Sequence, residues 1–162
     1  MNLWKRVRSL SLRQLTQLVL LFLRNPRFTF ATVSATQRTF EICNAMYGTE
    51  HQKSNPANAF RHALWNVLIC KNSLKVTKNV SNCSLWAQKV TDLYEKVTQN
   101  DALDEAMDLH NNRLGRTWFQ VNYDKSEAEF IDFLRKKTQK ARKIQNLNEI
   151  TNFPNDLVFI ES

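Results

Sequence analysis

An all-α fold, a compact bundle of about six helices, is what this sequence predicts, and three features carry that reading. Only two glycines and three prolines occur in 162 residues, fewer than hairpins and strand corners normally need. Apolar residues recur at helical spacing through most of the chain. Capping signals stand where those periodic segments begin and end. The length suits one domain, and 43% apolar residues is enough for a core and too many for wholesale disorder. The domain is therefore read as residues 1–162, with a basic amphipathic N-terminal helix over 1–24.

The first predicted helix covers Ser9 to Arg24, with Leu12, Leu15, Val19, Phe22 and Leu23 to one side. Pro26 can open the second, which runs to Tyr47 and stops at Gly48. Asn55 and Pro56 read as N-cap and first turn of a third helix reaching Lys71, followed by a polar loop over 72–82. Asn82 or Ser84 can cap a fourth helix carrying Trp86, Val90, Leu93 and Val97. Asn100 or Asp101 can cap a fifth through Met107, Leu114 and Trp118. Ser126 and Glu129 form a capping box for the sixth, with Phe130, Phe133 and Leu134 inward. Leu157 to Ile160 reads as a short strand or an extended segment on the core. The third, fourth and fifth helices are expected at the centre.

The net charge of +8 is concentrated at the N-terminus. Residues 1–40 hold Lys5, Arg6, Arg8, Arg13, Arg24, Arg27 and Arg38 and no acid. Lys5, Arg6 and Arg8 before the apolar run Leu18–Leu23 resemble a signal peptide, but Arg24-Asn25-Pro26-Arg27 follows where a small-residue cleavage site is needed. The run is also far short of the roughly 20 residues that span a bilayer. Cys43, Cys70 and Cys83 form an odd set without CxxC spacing, which argues against a disulfide framework or zinc site, and Cys43 and Cys70, among apolar neighbours, read as small packed hydrophobes. A cytoplasmic location follows, with peripheral membrane association as the alternative.

Two predicted helices hold more polar residues than ordinary packing asks for. In the third, Asn58, His62 and Asn66 fall at i, i+4, i+8, with Arg61 and Trp65 in an adjacent stripe. In the fifth, Asp108, Asn112 and Gly115 share a face, as do Asp108 and Asn111, and Arg116 lies a turn beyond Asn112. Adjacent asparagines and an interior glycine cost helix stability, and such costs are usually tolerated where a close contact or a site requires them. The structural alternative is that an Asp–Arg pair braces two helices, Asn111-Asn112 and Gly115 cap or kink the fifth, and His62 is a hydrogen-bonded interior histidine. Standard hydrolase, zinc-protease, phosphate-loop and dinucleotide motifs are absent.

The segments Asn58-Ala59-Phe60-Arg61-His62-Ala63-Leu64-Trp65-Asn66 and Met107-Asp108-Leu109-His110-Asn111-Asn112-Arg113-Leu114-Gly115-Arg116 resemble the signatures of an uncharacterised bacterial helical family, a domain of unknown function. Its pattern is similar to FRHAxWN, then HE, then MDxxNNxxGR, and its members stand alone or are attached to secreted or toxin-like proteins. The resemblance covers a signature-bearing core over 55–120 and implies a helical fold with one polar site. Where the family has His-Glu, this chain has Tyr94-Glu95, which puts any role of that histidine in doubt; His110, in the second signature segment, could compensate, though nothing in the sequence itself shows that it does.

The resemblance implies a site from His62, Asp108 and Glu95, with Arg61, Asn111, Asn112 and Arg116 binding substrate. His62 can act as general base oriented by Asp108, the two being expected in direct or water-mediated contact. The arginines can bind phosphate or carboxylate, and the asparagines can position substrate. His62, Glu95 and Asp108 can also hold a metal, though the set is poor for zinc without the missing histidine, so no metal and no cofactor is assigned. The function read from this set is hydrolysis of an anionic or ester substrate. The alternative is a non-catalytic module whose basic N-terminal helix binds an anionic membrane surface or an acidic partner. Nucleic acid is the least supported partner, because the basic residues share a helix with an apolar face and form no aromatic-studded groove.

Overall fold

The computed structural model describes residues 12–98 and 101–161. Six α-helices are present among them: α1 Leu12–Leu23, α2 Pro26–Tyr47, α3 Pro56–Thr77, α4 Val80–Thr98, α5 Ala102–Val121 and α6 Glu127–Thr138. Short 3-10 turns occupy Glu50–Gln52 and Leu147–Asn152. The expected start of the first helix at Ser9, the Met1–Leu10 segment and the Asn100 cap lie outside the described residues.

Local chemistry sets most boundaries. Pro26 and Pro56 each stand in the first turn of their helices, where a missing N–H costs nothing. Asn55 caps α3 by accepting the Asn58 N–H, and Asp101 caps α5 by accepting that of Leu103. Ser126 and Glu129 satisfy each other's backbone N–H groups at the start of α6. Gly48 ends α2 with φ 56°, a left-handed value that glycine adopts without penalty. The expected loop over 72–82 is instead helix on both sides of a tight corner. α3 continues to Thr77 because Ser73 and Leu74 still face protein, and it closes on Lys78 at φ 55°. Asn79, rather than Asn82 or Ser84, then caps α4 by accepting the Asn82 N–H.

α3 is the central helix and packs against α2, α4, α5 and α6. From Ala57 to Cys70 all but Arg61 are buried. Two α2 threonines satisfy buried indoles, Thr32 accepting from Trp86 at 2.9 Å and Thr36 from Trp65 at 2.8 Å. α6 seals the bundle with Phe130 and Leu134, while half-buried Phe133 meets the Trp118 ring edge-on. All three cysteines are free and buried. The C-terminal segment adds a two-residue parallel ladder, β1 Arg142–Lys143 with β2 Val158–Phe159, over a small cluster of Met107, Ile144 and Val158. Among the described residues, no helix is long and apolar enough to cross a membrane.

α3 and α5 cross in close backbone contact. A Cβ on Gly115 would collide with the Ala63 carbonyl oxygen and sit 2.9 Å from its Cα, all backbone atoms that cannot swing aside. Helix propensity alone would make Gly115→Ala stabilising by about 1 kcal/mol. The clash reverses the sign, so we expect a net loss of about 2–4 kcal/mol in urea denaturation.

Candidate functional site

Beside that crossing, three buried side chains from three helices meet. His62 comes from α3, Glu95 from α4 and Asp108 from α5. His62 Nε2 lies 3.2 Å from Asp108 Oδ1, and Nδ1 lies 3.5 Å from Glu95 Oε1. His62 also faces Asn112, and Asn66, one turn on, reaches Asn112 and Arg116. These pairings require α3 and α5 to run parallel, with α4 antiparallel beside them.

The hydrogen bonds have one direction, set by Arg116, whose guanidinium can only donate. Its Nη1 donates to Asn66 Oδ1 at 3.0 Å and to Thr91 Oγ1 at 3.1 Å. Asn66 therefore presents Nδ2 to Asn112 Oδ1 at 2.7 Å and to the His62 carbonyl at 3.1 Å. Asn112 in turn donates through Nδ2 to Glu95 Oε1 at 3.1 Å. With Asn112 Oδ1 an acceptor, His62 Nδ1 carries the proton it gives to that oxygen at 3.2 Å. Nε2 is then left with its electron pair, which accepts from Arg61 Nη2 at 2.7 Å. This alignment assigns the Nδ1–H tautomer to His62, with Nε2 facing the Asp108 carboxylate and the Arg61 guanidinium.

Of the sequence-derived set, His62, Glu95, Asp108, Asn112 and Arg61 come together here. Arg61 is half-buried and also donates to the His51 carbonyl at 2.7 Å. Arg116 is buried behind the cluster, its Nη1 committed to Asn66 and Thr91 and its Nη2 4.0 Å from Asp92. Burial, the largest influence on Arg116, lowers its pKa below the usual value. Asn111 points elsewhere. Its amide pairs with both backbone groups of Val158, at 2.9 and 3.0 Å, and clamps the C-terminal segment. His110 accompanies it, with Nε2 2.9 Å from the Asp156 carbonyl rather than in the cluster. Tyr94, at the position of the expected histidine, meets Trp65 edge-on.

Thr91, one turn before Glu95, has no place in the sequence-derived set. Its signal was the buried Ala87, Thr91, Glu95 stripe at i, i+4, i+8 on α4. Asn66 was visible in its stripe but carried no site role. His62, Glu95 and Asp108 each offer a ligand-type atom within 4.8 Å of the others, so the cluster has the composition of a cation site.

Residues 19–142 match the family model described as a domain of unknown function, DUF6973. The chain belongs to this family. No curated protein and no solved structure matches it. The DUF6973 match takes in all of α2 through α6, so the cluster lies wholly inside it, while Val158, which Asn111 holds, lies beyond it.

Burial, with the Arg61 charge second, pushes the His51 imidazole down to about 4. Burial lowers His110 as well. Between pH 6.5 and 4 the unfolded chain binds a proton at His51 that the folded chain does not, so stability is complete above this window and falls as pH drops through it. Urea denaturation at several pH values should show a loss of about 2–3 kcal/mol across the window from His51, and His51→Gln should flatten the slope.

Proposed function

We propose that this DUF6973 domain is a hydrolase acting on an anionic or ester substrate, with His62, Asp108 and Glu95 as its reaction centre. The observation that carries the reading is the setting of the His62 ring, Nδ1 3.2 Å from Asn112 Oδ1 and Nε2 3.2 Å from Asp108 Oδ1. A buried imidazole whose Nδ1–H is held by Asn112, and whose Nε2 keeps its electron pair beside a carboxylate, is prepared to activate water. A buried histidine serving packing alone has no need of an aligned chain of Asn112, Asn66 and Arg116 behind it. In the proposed reaction, a water beside Nε2 and Asp108 gives its proton to Nε2 and attacks the carbonyl carbon or phosphorus of the substrate; the ester C–O or P–O bond to the leaving alcohol then breaks, and the departing oxygen takes that proton back from Nε2. Arg61 is the half-buried member of the set and meets the substrate's negative charge as its guanidinium leaves Nε2.

A panel of p-nitrophenyl carboxylate and phosphate esters tests this. The wild-type chain should hydrolyse at least one above the buffer rate. His62→Gln should reduce that rate roughly 100-fold or more with an unchanged far-UV circular dichroism spectrum. Absence of turnover on every probe, or turnover indifferent to His62→Gln, overturns the reading.

A second reading, binding to an anionic membrane surface, has its own support at the α1–α2 corner. Leu23 and Phe30 are 72% and 77% exposed, with Val19, Leu20 and Val33 also open to solvent. Arg24 and Arg27 are exposed among them. An open groove lined by Asn25, Pro26, Arg27, Phe28, Val76 and Thr77 adjoins this corner. Apolar side chains next to arginines are what an interfacial segment needs, each basic residue adding about 1 kcal/mol near anionic lipid. Co-sedimentation with phosphatidylserine-containing vesicles at low salt should be abolished by Leu23→Glu with Phe30→Glu and weakened by high salt or by deleting residues 1–10. Lack of binding to those vesicles, or binding that survives the double substitution, removes this reading.

A further inference from the structure

We propose that His62 Nε2, Asp108 and Glu95 bind one divalent metal ion, with Asn58 adding a neutral oxygen. Its use in catalysis rests on the hydrolase reading above; the binding of the ion does not.

The first argument is ligand geometry. His62 Nε2, which holds an electron pair, lies 3.2 Å from Asp108 Oδ1. That spacing matches one edge of a coordination polyhedron. A metal–ligand distance near 2.1 Å gives edges of about 3.0 Å in an octahedron and about 3.4 Å in a tetrahedron. Glu95 lies on the Nδ1 side of the same ring, Oε1 3.5 Å from that nitrogen, and one ligand-type atom from each of the three residues lies within 4.8 Å of the others, so the Glu95 carboxylate completes the set by turning toward the ion.

The second argument is the shell around those ligands. A metal-binding imidazole normally gives its other N–H to an oxygen, which fixes the tautomer. His62 Nδ1 does so to Asn112 Oδ1 at 3.2 Å. The same asparagine donates to Glu95 Oε1, so one side chain orients two of the three ligands. Arg116, through Asn66, orients that asparagine.

The third argument is independent of the cluster. Asn58 sits one turn before His62 on the same face of α3, and residues four apart there stand about 5–6 Å apart at Cβ. It is 5% exposed, and its Oδ1 is buried with no hydrogen-bond partner among the described residues. A buried, unpaired amide oxygen is costly, and a cation beside His62 would take it as a ligand.

One nitrogen with carboxylate and amide oxygens suits Mn²⁺ or Fe²⁺, with Zn²⁺ the poorer fit, and differs from the thiolate sites of structural zinc. Arg61 Nη2, 2.7 Å from Nε2, is the group the ion replaces. That exchange frees the guanidinium for an anionic substrate and passes water activation from the imidazole to the metal.

The experiment uses the full chain, dialysed against chelator and titrated with Mn²⁺, followed by electron paramagnetic resonance, and with Zn²⁺, followed by calorimetry. We expect one ion per chain. Asp108→Asn and Glu95→Gln should each weaken binding at least roughly tenfold, and Asn58→Ala by less, with wild-type circular dichroism retained. A hundredfold excess over Kd should raise the wild-type Tm by roughly 5–10 °C and leave that of Asp108→Asn unmoved. If the carboxylate variants do not fold, Mn²⁺ broadening of wild-type proton resonances decides. Broadening centred on the His62 ring supports the site, and broadening confined to other residues overturns it. No binding at millimolar ion, or one ion per chain at full affinity in both carboxylate variants, overturns it too. Ester hydrolysis that persists in chelator overturns the ion's use in catalysis and leaves its binding to be decided by the titrations. Stoichiometric binding without hydrolysis leaves the metal site standing and removes the hydrolase reading.

Discussion

At the crossing of α3 and α5, Gly115 brings its backbone against that of Ala63 so closely that a single added carbon would collide with it. Side chains as short as asparagine and aspartate reach one another across two helices only if the axes stand near. A larger residue would push α5 outward, and the 2.7 Å bond from Asn66 to Asn112 and the 3.2 Å contact of His62 with Asp108 would both lengthen. A glycine costs about 1 kcal/mol within a helix. That cost is offset by the contacts the approach permits, including the buried network that flanks it.

The network depends on that spacing and also on one charge. Asparagine side chains can face either way, and a chain of them has no inherent direction. Arg116, which has donors only, breaks the symmetry and fixes the orientation of Asn66, then Asn112, then the His62 proton. Low surrounding polarity strengthens each bond and makes each misorientation expensive. An arginine two side chains away from the imidazole therefore determines which nitrogen is basic. Arg61, which is half-buried, approaches that nitrogen from the side opposite the supporting chain, so it covers the cluster.

α5 serves two purposes with adjacent residues. Asp108 and Asn112 face α3, whereas His110, Asn111 and Arg113 hold the C-terminal segment through the Asp156, Val158 and Pro154 backbone. Asn111 acts as a surrogate strand, offering one amide to the N–H and C=O of Val158. The two adjacent asparagines, which share a residue type and a family signature, thus have unrelated tasks separated by a third of a helical turn.

Local chemistry was legible in the sequence wherever a boundary rests on one or two residues. Pro26, Asn55 with Pro56, Ser126 with Glu129, and Gly48 act through their own backbone geometry, so they read correctly without a fold around them. The corner at 77–80 did not, because Ser73 and Leu74 look like loop residues until α3 is known to lie at the centre. The polar stripes on α3 and α5 were also legible as stripes. The sequence by itself thus determined a helical bundle and the residues that do not belong to ordinary packing. Only the tertiary structure decided how those residues combine, because helical spacing describes one helix and says nothing of another. The parallel setting of α3 against α5 put His62 opposite Asp108 and Asn112, and turned Asn111 away to Val158. The antiparallel α4 delivered Glu95 and Thr91. The His62 tautomer lies further still from the sequence, since it follows from a relay of side chains on three helices that meet only when the bundle closes.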